Sequence, residues 1–184
     1  MAKTNYNKLI LAIVISVVNI LGLIFLLTTP FIARFDAIDD YFRIFYNGDT
    51  KFRFNDVIVH GNDSDFPGAV PVLALIGIIV ILIGSIYMIT LAISKKDCFI
   101  SNRKAPGPIS GTLFFIGGLI GFIGMMVFLP YATDLLDNFS ELSIGFGFVI
   151  SLIIFILMML YGIFLVILTL LNKDKKRKPR KKKK

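Results

Sequence analysis

The chain has 184 residues, of which 56% are hydrophobic, with a formal net charge of +8 and a single cysteine. Soluble domains are only about 45–50% apolar, so the composition predicts one integral membrane domain and excludes a separate large soluble core. One cysteine also excludes an intramolecular disulfide.

Charge alternates in sign along the chain. The net charge is +2 over residues 1–8, −3 over 31–69, +3 over 95–109, −3 over 131–142 and +9 over 172–184. Cytoplasmic loops of membrane proteins carry an excess of Lys and Arg. The pattern therefore predicts that both termini and the loop between the second and third spans are cytoplasmic, and that the two acidic loops face outward, in a protein of the cell membrane.

Four apolar runs separate these segments, at residues 9–29, 70–94, 110–130 and 145–171. A hydrocarbon core of about 30 Å takes roughly 20 helical residues, so each run is long enough to cross it. The runs predict an all-α bundle of four transmembrane helices over residues 1–171, with a small β-sheet in the first outer loop.

The first run also allows a cleaved signal peptide as the alternative. The apolar part of such peptides has about 7–15 residues and ends in a small-x-small site, which Phe31-Ile32-Ala33 does not offer. We therefore expect an uncleaved span. Asn19, near its middle, could bind a substrate, but we expect it to form a hydrogen bond between helices.

The outer loop 31–69 contains a hairpin signal. Two β-rich runs, 41–46 and 50–54, flank Asn47 and Gly48, and an Asn-Gly step between such runs is a strong hairpin signal. The residues expected to fold the loop and make its turn are Phe42, Ile44, Asn47, Gly48, Phe52 and Phe54.

Two registers are open for this hairpin. A three-residue loop over 47–49 would place Ile44 opposite Phe52 and Phe42 opposite Phe54. It makes one apolar face but sets Arg43 opposite Arg53, which is unfavourable. A four-residue loop would pair Phe45 with Phe52 instead. We prefer the three-residue loop.

The rest of this loop predicts a third short strand, 57–59, and an acidic turn. Asn62, Asp63 and Asp65 could hold a hard cation such as calcium, but they lack the ligand spacing of a known calcium loop. We therefore expect a solvated turn. Asn62 and Asn138 each begin an N-glycosylation tripeptide, and both lie in segments predicted to face outward.

The third span carries a stripe of small residues. Gly117, Gly121 and Gly124 fall on one face of a helix, and Gly-x-x-x-Gly spacing lets two helix backbones approach closely. We expect these glycines to pack the bundle. In the basic loop before this span, Cys98 is a juxtamembrane candidate for palmitoylation, with an unmodified thiol as the alternative.

The tail from residue 172 is predicted to be disordered and cytoplasmic. Its ten bases follow a span directly, so we expect contact with anionic lipid of the inner leaflet. Nucleic-acid binding is the alternative, but no aromatic residue interleaves the bases. Two further interpretations are that the tail only sets orientation, or that its end is a dilysine retrieval signal. The predicted lipid-contact residues are Lys175, Lys176, Arg177, Lys178, Arg180, Lys181, Lys182, Lys183 and Lys184.

Motifs for catalysis are missing from the sequence. No span contains Asp, Glu, Lys, Arg or His, whereas proton relays and ion paths place such groups in the membrane. There is no phosphate-cradling glycine loop and no His-containing catalytic constellation. We expect no enzymatic activity, no cofactor and no metal.

The order of segments resembles the four-span claudin and peripheral-myelin-protein group, in which the first outer loop forms a small β-sheet on the bundle. Those families typically carry Trp-Gly-Leu-Trp-Cys-Cys in that loop, and this chain has no Trp and no cysteine there. No family residue is therefore carried over. The resemblance implies a role in adhesion, barrier formation or membrane organisation.

Together these features predict a non-enzymatic membrane protein whose β-rich loop binds another membrane protein or a second copy of the chain. The alternative is a small transporter, or an accessory subunit of a transporter or channel complex. A continuous polar cavity between the helices would favour that alternative.

Overall fold

A computed structural model describes residues 6–35, 41–54, 57–93 and 106–177. Within them the chain forms four helices and a small sheet. The helices are α1 Tyr6–Thr28, α2 Ala69–Ile93, α3 Pro106–Asn138 and α4 Phe146–Arg177. The strands are β1 Ile32–Phe35, β2 Tyr41–Ile44, β3 Asp49–Phe54, β4 Val57–Asn62 and β5 Ser143–Ile144.

Three of the helices are long and apolar enough to cross a membrane, over Ala69–Thr90, Ile109–Asn138 and Phe146–Leu168. The α1 helix has 23 residues and contains a shorter apolar segment, Ile13–Thr28. Large aliphatic side chains point away from the bundle, as Ile86 does with 63% of its surface exposed. Apolar surface on this scale marks a membrane face, so the fold is that of a helical membrane protein.

Neighbouring helices run antiparallel. Gly77 of α2 lies against Gly117 of α3, whereas Gly84, later in α2, lies against Leu113, earlier in α3. The same reversal relates α3 to α4 and α1 to α4. The helices therefore alternate in direction, and all four meet the sheet at the same end of the bundle.

The glycine stripe of α3 lies between α2 and α4. A Cβ on Gly117 would be 2.8 Å from the Gly77 carbonyl oxygen, and one on Gly124 would be 2.9 Å from the Leu73 Cβ. A Cβ on Gly121 would overlap the buried Phe155 ring of α4. The stripe thus lets α3 approach the α2 backbone closely and makes room for the Phe155 ring of α4.

The α3 helix ends later than the sequence predicted. It continues through Pro130 to Asn138, so most of the expected outer loop 131–142 is helical. A proline removes one backbone donor, yet the helix continues through it. In the next turn the Thr133 hydroxyl shares its proton between the carbonyls of Leu129 and Pro130, at 3.1 and 2.8 Å. Burial of Ala132 against the core supports the added turns.

The α4 helix continues to Arg177, so residues 172–177 of the tail predicted to be disordered are helical. Lys and Arg are good helix formers, and cations are favoured near the C-terminus of a helix. Residues 178–184 of the predicted disordered tail lie outside the described residues.

The five strands form one antiparallel sheet in the order β4-β3-β2-β1-β5. The β1 strand follows α1 almost directly, and β5 lies just before α4. The sheet is therefore attached to the bundle at its β1 and β5 side, and β4 forms its opposite edge.

The Gly117→Ala variant should show that the α2–α3 contact has no room for a methyl group. The added carbon meets backbone, which cannot rotate away, and overpacking of this kind costs about 1–3 kcal/mol. We expect a lower midpoint of thermal unfolding in detergent. Gly68→Ala is the control, since a Cβ at Gly68 meets nothing within 4 Å. Equal midpoints for the two variants would contradict the packing described.

Candidate interaction surface on the sheet

The main chain attaches the sheet to the bundle at Phe31. Its N–H donates to the Ile44 carbonyl of β2 at 2.7 Å, and its carbonyl accepts from the Gly145 N–H at 2.7 Å. The Gly147 N–H donates to the Pro30 carbonyl at 3.1 Å. A Cβ on Gly145 would overlap the backbone of Pro30, so this close approach requires glycine.

A cluster of buried aromatic rings continues the helix core into the sheet. The fully buried Phe31 ring lies 5.2 Å from Phe128 of α3 and 5.8 Å from Phe148 of α4, both edge to face. Phe66, before α2, lies 5.9 Å from Phe128. Such pairs stabilise by about 0.5–1.5 kcal/mol beyond their burial. The sheet and bundle therefore share one core.

A polar contact adds to this attachment. The Tyr131 hydroxyl of α3 donates to Asp63 Oδ2 at 2.5 Å, while Asp63 Oδ1 accepts from the Asp65 N–H at 2.9 Å. Both carboxylate oxygens of Asp63, which lies in the turn after β4, thus accept hydrogen bonds. Among the described residues, no group of three or more His, Cys, Asp or Glu side chains is placed to hold a metal ion.

The hairpin of β2 and β3 has neither of the registers considered from the sequence. Phe42 lies opposite Phe52 and Ile44 opposite Thr50, and the N–H of Phe45 donates to the Asp49 carbonyl at 2.9 Å. The loop therefore has three residues, 46–48, and begins one residue earlier than predicted.

The conformation of Gly48 explains this register. Its φ is +81°, and a three-residue hairpin loop places its left-handed residue last. Glycine adopts that conformation freely, so Gly48 must end the loop. The Asn47 side chain contacts Asp49, accepting from its N–H at 3.2 Å and donating to its carboxylate at 2.7 Å.

The observed register still opposes two cations, Arg43 and Lys51. They diverge toward different rings. The Arg43 guanidinium lies 4.3 Å from the Tyr41 ring centre, and the Lys51 ammonium lies 5.4 Å from that of Phe45. Cation–π contacts of this kind offset part of the repulsion.

One face of the sheet is apolar and only partly covered. Ile44 is fully buried, Phe42 is half-buried, and Phe52 on the next strand is 38% exposed. Beside Phe52 a groove of about 600 Å³ lies between the sheet and the end of α3, with Leu135 and Phe139 in its wall. The residues that complete the lining are Arg34, Phe42, Asn138, Ser140, Glu141 and Leu142.

Arg34 and Glu141 tie the wall of the groove together with an ion pair of 2.6 Å. Both side chains are partly exposed, at 39% and 62%, and exposed pairs contribute little to stability. The pair thus positions the chain after α3 beside β1 more than it strengthens the fold.

The β4 strand is the most accessible part of the sheet. All six of its residues are exposed, including Val57 at 60%, Ile58 at 53% and Val59 at 38%. An edge strand presents unpaired N–H and C=O groups, and proteins usually protect it with charge, proline or a bulge. Residues 57–62 contain no Lys, Arg, Asp, Glu or Pro.

Of the other predicted residues, Asn19 lies apart from this surface, whereas Phe54, Asn62 and Asn138 lie on the sheet or beside its groove. Asn19 donates to the Ser85 hydroxyl of α2 at 3.0 Å inside the bundle. Asn62 is exposed at the end of β4, and Asn138 is exposed at the end of α3, where it donates to the Asp134 carbonyl at 2.8 Å. Phe54 ends β3.

Cys98, the candidate for palmitoylation, lies outside the described residues. So do the tail residues Lys178, Arg180 and Lys181–Lys184, which were predicted to contact lipid. Lys175, Lys176 and Arg177 belong to the last turns of α4.

Sequence reasoning missed three parts of this surface, and the first is strand β1, Ile32–Phe35. The two-residue strand β5 has no local signal, because it exists only through its pairing with Ile32 and Ala33. The contact between Tyr131 and Asp63 joins residues 68 apart. A tyrosine beside the end of a span was the available signal for the latter, since such residues often place a hydroxyl in water.

The Gly48→Ala variant should loosen the hairpin. A left-handed backbone costs a residue other than glycine about 1–2 kcal/mol, and the added Cβ would lie 2.9 Å from Phe66. We expect faster proteolysis within residues 41–54. Gly68→Ala is again the control, and equal cleavage rates in the two variants would contradict the ordered turn.

Comparison with known proteins leaves the geometry as the basis for assigning function. No protein-family model matches the chain, and no curated protein matches it. The resemblance to the claudin group is therefore still a prediction from the order of segments.

Proposed function

We propose that this chain is a non-enzymatic four-span membrane protein that uses its sheet to bind a protein partner. The observation that carries the proposal is the exposed β4 edge on a sheet that shares its core with the bundle. A strand edge offers main-chain hydrogen bonds to any extended segment, which is a recurring mode of recognition. The order of spans and outer loops favours a role in adhesion or membrane organisation.

The fourth span in this proposal is α1. Its 23 residues would measure about 34 Å at 1.5 Å per residue, enough for a core of about 30 Å. It packs against α2 and α4, which are themselves long enough to cross. An apolar helix within such a bundle is best accommodated as a crossing.

The proposed orientation places the sheet outside the cell and both termini inside. The helix ends far from the sheet adjoin the three basic segments, 1–8, 95–109 and 172–184, which hold 16 of the 20 Lys and Arg residues. The positive-inside rule then assigns that end to the cytoplasm. Lys and Arg of the tail would contact anionic lipid there.

A transporter, or an accessory subunit of one, is the second candidate. Polar side chains inside the bundle favour it, namely Asn19, Ser85, Ser110 and Ser151, each at most 2% exposed. The hydrogen bond between Asn19 and Ser85 accounts for two of them as interhelical contacts. Among the described residues, no contact within the chain covers the exposed β4 edge, so partner binding is the better supported function.

Photo-crosslinking in native membranes tests the proposed function. A photoreactive residue at Ile58 of β4 should form adducts with protein, because the edge is a binding surface. The matched control is Ile86 of α2, which is also an exposed isoleucine but faces away from the bundle, and it should form adducts with lipid. Protein adducts no more frequent at Ile58 than at Ile86 would contradict the proposal.

A further inference from the structure

The direction of each backbone group along β4 follows from one hydrogen bond. The Asp63 N–H donates to the Gly48 carbonyl at 3.0 Å, which continues the β3–β4 register. In an antiparallel ladder, hydrogen-bonded and non-hydrogen-bonded pairs alternate. Val57, Val59 and Gly61 therefore point their N–H and C=O toward β3, and the groups of Ile58, His60 and Asn62 point away from the sheet.

The outward groups of Ile58 and His60 are spaced to pair with a copy of the same strand. In an antiparallel pair, outward groups must meet outward groups, so a two-fold axis has to pass through a residue rather than between residues. The candidates within the strand are Ile58, Val59, His60 and Gly61. These four registers place different side chains opposite each other.

We propose that two copies of the chain associate through β4, antiparallel, with the two-fold axis at Val59. This inference rests on the proposed function and names its partner as a second copy. Ile58 of each copy exchanges both main-chain hydrogen bonds with His60 of the other, giving four bonds in all. Val59 faces Val59, a β-branched cross-strand pair of the favourable kind.

The other registers are less favourable. An axis at Gly61 sets two glycines opposite each other, which offer no side-chain contact. An axis at His60 pairs all three outward residues but sets two imidazoles directly opposite each other and leaves Val59 opposite Gly61. An axis at Ile58 places His60 opposite residue 56, beyond the start of β4. The axis at Val59 leaves Asn62 opposite residue 56, but it keeps four hydrogen bonds within the strand, against two for the axis at Ile58. It also opposes two apolar side chains, which the axes at His60 and Gly61 do not.

Charge and position favour a second copy as the occupant of this edge. Residues 57–62 carry no formal charge when His60 is neutral, so self-pairing opposes no like charges, which would destabilise a sheet. Every copy carries the edge at the same end of the bundle, because the sheet that contains β4 shares one core with the bundle. Copies in one membrane therefore present identical edges at the same height.

Disulfide formation tests the register. In a Cys98→Ser background, cysteine replaces Val59 in one variant and Ile58 in another, and membranes are treated with a mild oxidant. Across the axis the two Val59 Cα atoms would be about 4.5 Å apart, within the range of roughly 4.4–6.8 Å that a disulfide allows. The Ile58 residues would be diagonal, with Cβ atoms about 7–8 Å apart.

We expect Val59→Cys to form covalent dimers at least about tenfold faster than Ile58→Cys, because the second pair exceeds disulfide reach. Ser64→Cys, in the exposed turn after β4, measures random collision and should match Ile58→Cys. Equal rates at the three positions would overturn the proposal, as would the absence of dimers from Val59→Cys.

A second variant tests the hydrogen bonds themselves. His60→Pro removes an N–H that points away from β3, and edge strands tolerate proline at such positions. Combined with Val59→Cys, it should reduce dimer formation to the Ile58→Cys rate while the thermal midpoint of the monomer stays unchanged. Ile58→Pro is the replacement if His60→Pro lowers that midpoint. Undiminished dimer formation in a folded proline variant would overturn the proposal.

These results separate the inference from the proposed function. Adducts from Ile58 to a different protein, without Val59→Cys dimers, would leave partner binding intact and remove self-pairing. An absence of protein adducts at Ile58 would remove both.

Discussion

The structure depends on the main-chain hydrogen bonds that hold Phe31 between Ile44 and Gly145. They join the segment that leaves α1 to the hairpin on one side and to the start of α4 on the other. The Phe31 ring then fills the space between α3 and α4, against Phe128 and Phe148. A short hairpin alone is marginally stable in water, so the sheet needs this attachment to hold a fixed shape.

The attachment also determines which part of the sheet is accessible. Because β1 and β5 are held against the bundle, the strands extend from there and β4 becomes the free edge. The apolar face passes from fully buried Ile44 to partly exposed Phe52 in the same direction. A rigid support with an accessible edge is suited to binding, since little ordering entropy remains to be lost when a partner pairs with it.

The sequence predicted the helices because a run of about 20 apolar residues has few alternatives in water or lipid. It also located the turn at Asn47-Gly48. The predicted hairpin register was wrong because a three-residue loop ends on its left-handed residue, which makes Gly48 the last residue of the loop. The predicted end of α3 was wrong because a proline weakens a helix only locally. Packing of Ala132 on the core decides whether the helix continues. Strand β5 depends on pairing alone, which local sequence does not encode.

Amide hydrogen exchange of the protein in detergent micelles tests the central claim, that the sheet is held in place by its core contact with the bundle. Phe31→Ala removes a fully buried ring, a change that costs about 3–5 kcal/mol in a core. Phe52→Ala makes the same substitution on the partly exposed face. We expect exchange in β1, β2 and β5 to accelerate strongly in Phe31→Ala and little in Phe52→Ala. Unchanged protection of those strands in Phe31→Ala would contradict the account.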